Sequence, residues 1–217
     1  MSEQKALVLF SGGQDSTTCL FWARRRFTKV ETVGFLYNQR HVEREIEAQL
    51  AITRMLDMPS PHYIPLTTES SALTGEGDLS EMKRGLPASF VPGRNILMLT
   101  HAASLAYFFN IHVLVGGMCQ TDYSGYPDCR REFIDYMEHA LSAGLAYEIQ
   151  IITPLMYLTK KESVQMAMQM PGCLEALAFS HTCYEGRRPP CGECPACKLR
   201  AKGFAEAGVT DPILQMN

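Results

Sequence analysis

Residues 6–10, Ala-Leu-Val-Leu-Phe, are an unbroken apolar run that stops at Ser11-Gly12-Gly13, and a helical pattern begins at once with Asp15-Ser16-Thr17. A short run with no polar alternation is the mark of a strand buried on both faces, which needs helices above and below it. Further strands are expected at 31–37, 63–65, 112–115 and 148–152. Between them helices are expected at 15–27, from Val42 to before Pro59, from an Asn95 cap through 109, and from Asp128 to about 143 with Gly144 closing it. Thr159-Lys160-Lys161-Glu162 matches a capping box that opens a helix to Met170. Strands alternating with helices five times predict an α/β fold, a five-stranded parallel sheet with helices on both faces. The polar, glycine-rich stretch 67–92 is long for a loop in a compact domain and is expected to be a lid or binding loop.

Ligands in such folds bind beyond the carboxyl ends of the strands, and the polar motifs fall there. After strand one, glycines allow a sharp turn and a close approach of the backbone. The first turn of the next helix offers unpaired N–H groups at the positive end of its dipole. Ser11, Ser16 and Thr17 add hydroxyls, so the stretch makes a cradle for a phosphate or pyrophosphate. It lacks the lysine of a Walker loop and the third glycine of the dinucleotide fingerprint. Instead, Ser-Gly-Gly-Gln-Asp-Ser resembles the pyrophosphate loop of the ATP-pyrophosphatase superfamily, whose fold is of the adenine nucleotide alpha hydrolase-like, Rossmann-like kind.

Cysteine usage adds a second centre. Four of the eight cysteines bunch as Cys183-x7-Cys191-x2-Cys194-x2-Cys197. Two-residue gaps let thiolates converge on one ion, and four sulfurs satisfy tetrahedral zinc in a closed, structural site. An iron–sulfur cluster is the rival, but the upstream fourth cysteine and the glycine and proline positions favour zinc. The division expected is 1–172 for the ATP-binding domain and 173–217 for a zinc-binding and helical segment. No charged-then-apolar leader opens the sequence and no apolar run approaches the ~18 residues of a membrane span, so a cytoplasmic protein is expected. A net charge of -3 argues against a protein that coats nucleic acid.

Phe90–Asn95 (Phe-Val-Pro-Gly-Arg-Asn) and 116–130 are dense in hydrogen-bonding and aromatic side chains. Asp122, Tyr123, Ser124, Tyr126 and Asp128 could read a polar heterocycle; equally, Gly125 and Pro127 could mark a plain turn, with Asp128 capping a helix.

Together with Gln39-Arg40-His41 and the four cysteines, these stretches closely resemble the 7-cyano-7-deazaguanine synthase family from residue 10 to 200. Asn38 departs from it, standing where glycine is expected. The resemblance implies a ligase that turns 7-carboxy-7-deazaguanine, ATP and ammonia into a nitrile through adenylated intermediates, in queuosine biosynthesis. It implies ATP contacts along Phe10, Ser11, Gly12, Gly13, Gln14, Asp15, Ser16, Thr17, Thr18, Cys19 and Leu20, with Arg94 a further anion contact and magnesium alongside. Asp15, Ser16 and Lys160 are the expected catalytic residues. Phe90, Asp122, Tyr126 and Asp128 are the expected substrate grip, and Arg40 and His41 are expected to face the nucleotide. Partners are the small substrate and ammonia, with no nucleic acid and no membrane, and a homodimer is compatible. Three other readings compete. A tRNA sulfurtransferase or ligase with the same loop would want a reactive cysteine, Cys119 or Cys129. An amidotransferase synthetase would want a glutaminase domain. A zinc-knuckle nucleic-acid-binding module would leave the ATP loop idle.

Overall fold

The computed structural model describes residues 4–79, 81–121 and 125–215. Its main sheet contains β1 (Lys5–Leu9), β2 (Lys29–Leu36), β3 (His62–Pro65), β6 (Val113–Val115) and β7 (Gln150–Ile152). The spatial order is β3-β2-β1-β6-β7 and every pair is parallel. The order reverses between β1 and β6, and there the crevice for a ligand opens.

Alternation along β1 divides the core into two layers. Leu7 and Leu9 face α3 (Arg94–Phe108) and α4 (Arg131–Leu145), burying Leu99, Ala102, Ala103, Ile134 and Leu141. Ala6, Val8 and Phe10 face α1 (Gln14–Arg24), α5 (Lys160–Met168), α6 (Cys173–Phe179) and α7 (Pro195–Ala207). Helix α2 (Val42–Met55) contributes Ile52 to that second layer. The expected five parallel strands covered on both faces are therefore present. Two helices of the 173–217 stretch share a core with the first strand, through Cys173, Ala176, Leu177 and Phe204.

Several local expectations shift. Helix α1 ends at Arg24, short of residue 27, and α5 ends at Met168, short of Met170. Asn95 is not the cap of α3: Gly93, in the left-handed region, precedes Arg94, and Asn95 lies inside the first turn. Asp128 does not cap α4, which begins at Arg131 after a 3-10 turn at Pro127–Cys129. Its Oδ2 instead accepts the Asn95 N–H at 3.3 Å, so it serves the N-terminus of α3. Helix α4 runs through Gly144 to Leu145, and Ala146 makes the left-handed stop. The 67–92 stretch carries a small antiparallel pair, β4 (Met82–Lys83) with β5 (Leu86–Pro87). It is anchored rather than loose, because Ala72, Leu73, Leu79, Ala88 and Val91 enter the core. Asn38 has φ 59°. The position needs the left-handed region, which asparagine tolerates better than other non-glycine residues, and this accounts for its standing where glycine was expected.

Buried Arg200 of α7 ties the C-terminal helices together. Its guanidinium donates to both Asp211 carboxylate oxygens at 2.6 and 2.8 Å, to Ser180 Oγ at 2.8 Å and to the Leu177 carbonyl at 3.0 Å. Truncation would leave a buried carboxylate unpaired, so Arg200→Ala is expected to cost about 3–5 kcal/mol, read as a shift of the urea midpoint at unchanged slope.

Candidate active site and metal centre

The loop after β1 is built as an anion cradle. Gly12 has φ +75°, and a Cβ there would stand 3.0 Å from both the Ala48 Cβ and the Glu45 carbonyl oxygen of α2, so only glycine fits. Gly13 occupies the N-cap of α1 and supplies no side-chain cap, leaving first-turn N–H groups for a ligand. Ser11 Oγ and Ser16 Oγ lie 3.1 Å apart, and Ser11 Oγ accepts the Gly13 N–H at 3.3 Å. The loop is held from outside by Gln49, whose Nε2 donates to the Phe10 carbonyl at 2.8 Å, and by the His181 N–H, which donates to the Gly12 carbonyl at 2.9 Å.

Lys160 is brought to this cradle from 145 positions away. Its Nζ donates to both oxygens of Asp15, at 2.9 and 2.7 Å, with only 9% of the lysine side chain exposed. Lys160 is the first residue of α5. The capping box is present as expected: Thr159 Oγ1 accepts the Glu162 N–H, and the Glu162 carboxylate accepts the Thr159 N–H. A cation at the positive end of a helix is disfavoured. Asp15 offsets that cost here, and it lies in the first turn of α1 where an anion is favoured.

A cavity of about 300 Å³ opens beside the cradle. Of the sequence-expected residues, Phe10, Ser11, Gly13, Gln14, Asp15, Ser16, Arg94, Tyr126 and Lys160 line it. Gln14 is buried, and its Nε2 has no hydrogen-bond partner among the described residues, a donor that suits an incoming polar ligand. Gly12, Thr17, Thr18, Cys19 and Leu20 do not line the cavity. Thr17, Thr18, Cys19 and Leu20 are buried in the body of α1, where Thr18 Oγ1 donates to the Gln14 carbonyl. Phe90 stands behind Tyr126, ring centroids 5.5 Å apart, while Tyr126 and Ser89 hydroxyls meet at 2.6 Å. Asp128 also lies behind the wall, on Asn95. Asp122, with Tyr123 and Ser124, lies outside the described residues.

Arg40 and His41 separate. The Arg40 guanidinium bonds the carbonyls of Gly75 and Gly77 and pairs with Glu185, so it pins the long loop and turns away from the cavity. His41 does line the cavity, 3.4 Å from Glu45, with its ring stacked near His181 and tilted against Tyr184. Sequence reasoning missed Tyr37, Glu45, His181, Thr182, Tyr184 and Arg200 on the cavity wall. The one signal available was the position of Tyr37 at the carboxyl end of the second strand. Burial pushes the Tyr37 phenol up to about 12, against the opposing influence of Arg94, so it remains a neutral donor.

The four Sγ atoms of Cys183, Cys191, Cys194 and Cys197 lie within 4.8 Å of one another. A tetrahedron with Zn–S of roughly 2.3 Å has edges of about 3.8 Å, and Cys191 and Cys197 stand 3.8 Å apart. The Glu193 and Cys194 N–H groups point at Cys191 Sγ, at 3.4 and 3.3 Å, as donors to a thiolate do. The donor set is compatible with zinc.

Parallel α/β topology, an uncapped Ser-Gly-Gly loop at the switch point and a lysine–aspartate pair above it define a nucleotide-handling class of α/β domain. Within that class, the chain belongs to the queuosine biosynthesis protein QueC family, whose profile matches residues 5–208. It is 51% identical to the 7-cyano-7-deazaguanine synthase of Chromobacterium violaceum, over 99% of this chain and 94% of that protein. It is 46% identical to that of Caulobacter vibrioides (94% and 93% covered) and 47% identical to that of Laribacter hongkongensis (97% and 94%).

Proposed function

We propose that the protein is a carbon–nitrogen ligase that converts 7-carboxy-7-deazaguanine and ammonia into 7-cyano-7-deazaguanine at the expense of ATP. The observation that carries the reading is one cavity lined both by Ser11, Gly13, Asp15, Ser16 and Lys160 of the cradle and by Arg94, Tyr37 and Tyr126. The near-full-length similarity to synthases of that name supports it.

The chemical problem is a poor leaving group, since a carboxylate does not lose oxide to ammonia. ATP supplies AMP to the oxygen, which then leaves with it; a nitrile requires the amide oxygen to be removed in turn, with the same loop used again. Ser11, Gly13 and Ser16 hold the outer phosphates, chiefly through main-chain amides; Gly12 makes the turn that presents them, and Thr17, whose N–H donates to the Gly13 carbonyl at 3.0 Å, backs the cradle from inside α1. Phe10, Gln14, Thr18, Cys19 and Leu20 form the strand end and helix that present them. Lys160 neutralises charge as pyrophosphate departs, with Asp15 aiming it and Ser16 contacting the phosphates. Arg94 is a second anion contact. Asp15 and the serine hydroxyls are oxygen donors of the kind magnesium takes, so the metal would arrive with the triphosphate and share Asp15 with Lys160. Tyr126 faces the deazaguanine, braced by Phe90 and Asp128, with Asp122 completing the grip.

Zinc at the four cysteines is the structural ion, and residues 173–217 brace the nucleotide-binding part, 1–172. The enzyme acts in the cytoplasm on small molecules, takes ammonia free or from a partner protein, and needs neither nucleic acid nor a membrane; a homodimer is compatible. No helix among the described residues is long and apolar enough to cross a membrane. Against the sulfurtransferase reading, burial first and Asp128 second push the Cys129 thiol up to about 12, so it holds little thiolate at neutral pH.

Incubation with ATP, ammonium and 7-carboxy-7-deazaguanine, followed by mass spectrometry, is expected to reveal the nitrile. Absence of product while ATP still binds would transfer the assignment to a tRNA-modifying enzyme of the same loop.

A further inference from the structure

Gly203 sits in the middle of α7, buried, where glycine is a poor helix former. Its φ carries no left-handed requirement; the reason for it lies in the neighbouring side chain. A Cβ at 203 would stand 2.4 Å from Lys160 Cγ, 3.0 Å from Lys160 Cβ and 3.2 Å from the Lys160 carbonyl carbon. The stem of the lysine therefore occupies the volume that any other residue would fill. Helices α5 and α7 pack directly on one another, and the lysine leaves that slot to reach Asp15 with its Nζ.

Helix α7 is itself fixed at two points before Gly203. Cys194 is its N-cap and Cys197 lies in its first turn, so two of the four clustered sulfurs belong to it. Arg200 then anchors it to Asp211, Ser180 and Leu177. Six residues of helix, about 9 Å, separate Cys197 from Gly203.

We infer that Gly203 is a positioning residue: it forms a slot on α7 that fixes the stem of Lys160 and aims its ammonium at the cradle, and the four-cysteine centre holds that slot in register. Nothing about Gly203 touches substrate; it acts through the lysine. The inference rests on the reading that Lys160 works on the phosphates.

The test is a double-mutant cycle with Gly203→Ala and Lys160→Ala, read by thermal midpoint and by turnover. In the wild-type background Gly203→Ala is expected to lower the midpoint by several degrees (about 2–10 °C, from overpacking in a chain of this size). It is expected to lower kcat roughly 10–100-fold, with KM for ATP within about two-fold, since the lost contact is made in the transition state. In the Lys160→Ala background the 2.4 Å clash with Cγ is gone, while the Cβ at 3.0 Å and the carbonyl carbon at 3.2 Å remain, so Gly203→Ala is expected to lower the midpoint by clearly less than it does in the wild-type background. If Gly203→Ala proves too unstable to purify alone but folds with Lys160→Ala, the slot is supported. Equal destabilisation in both backgrounds would mean that the glycine serves only the approach of the two helix backbones, and would overturn the inference. So would a Gly203→Ala enzyme with unaltered kcat when Lys160→Ala is impaired. If Lys160→Ala itself retains full turnover, the phosphate role of the lysine fails, while the midpoints still report whether the slot exists.

Discussion

Lys160→Ala is expected to lower kcat about 10²–10³-fold, the usual cost of removing one preorganised group that meets developing charge. The thermal midpoint should move by no more than a few degrees. Asp15 keeps 28% of its side chain exposed, so losing its partner leaves a carboxylate that water can solvate, not a stranded buried charge. On the role proposed for Lys160, the change should therefore show in turnover far more than in the fold. Steady-state kinetics with pyrophosphate release as the readout, beside a melting curve, checks both halves. A variant that lost both activity and fold would show that the lysine is structural, and one that lost neither would show that the cradle works without it. Lys160→Arg should not restore full activity, because a planar guanidinium offers a fixed fork of donors where the compact ammonium stands on Asp15.

Removal of the zinc proposed at the four-cysteine centre is expected to be the most damaging change to stability. Metal-binding free energy at such a site is folding free energy. Without it, clustered thiols replace thiolates on an ion, and Cys183 is already pushed up by burial as a free thiol. Chelation should expose the 183–197 stretch to protease and lower the thermal midpoint by more than ~10 °C. Because Cys194 and Cys197 begin α7, turnover should fall in step with metal content, and Lys160 should become accessible to amine-modifying reagents. Metal analysis, limited proteolysis and labelling of the lysine read these separately. A chelated protein with an intact melting curve and a protected lysine would show that the centre contributes nothing to the site.

The cradle was legible because it is local. Six consecutive residues between a buried strand and a helix specify both the turn and the exposed amides, and the two-residue gaps of Cys191-x2-Cys194-x2-Cys197 specify convergence of sulfurs. The capping box at Thr159 was legible for the same reason, since its two hydrogen bonds lie within four residues. Asp128 shows the limit. Its position at the expected start of a helix suggested a cap for α4, but its partner is the first turn of α3, 33 residues away. Arg40 likewise sits in a polar motif beside the cavity, yet its guanidinium is taken by the carbonyls of Gly75 and Gly77.

The amino-acid order by itself determined the parallel sheet, the anion-binding turn and the four-sulfur cluster, because each rests on periodicity or on spacing over a few residues; the family was legible through the resemblance of its motifs. Only the tertiary structure decided that Lys160 pairs with Asp15, that Tyr37, Glu45, His181, Tyr184 and Arg200 complete the cavity wall, and that Gly203 yields its volume to a lysine stem. Those are contacts between side chains tens of residues apart, and their partners are chosen by how helices stack on the sheet, which no local pattern encodes.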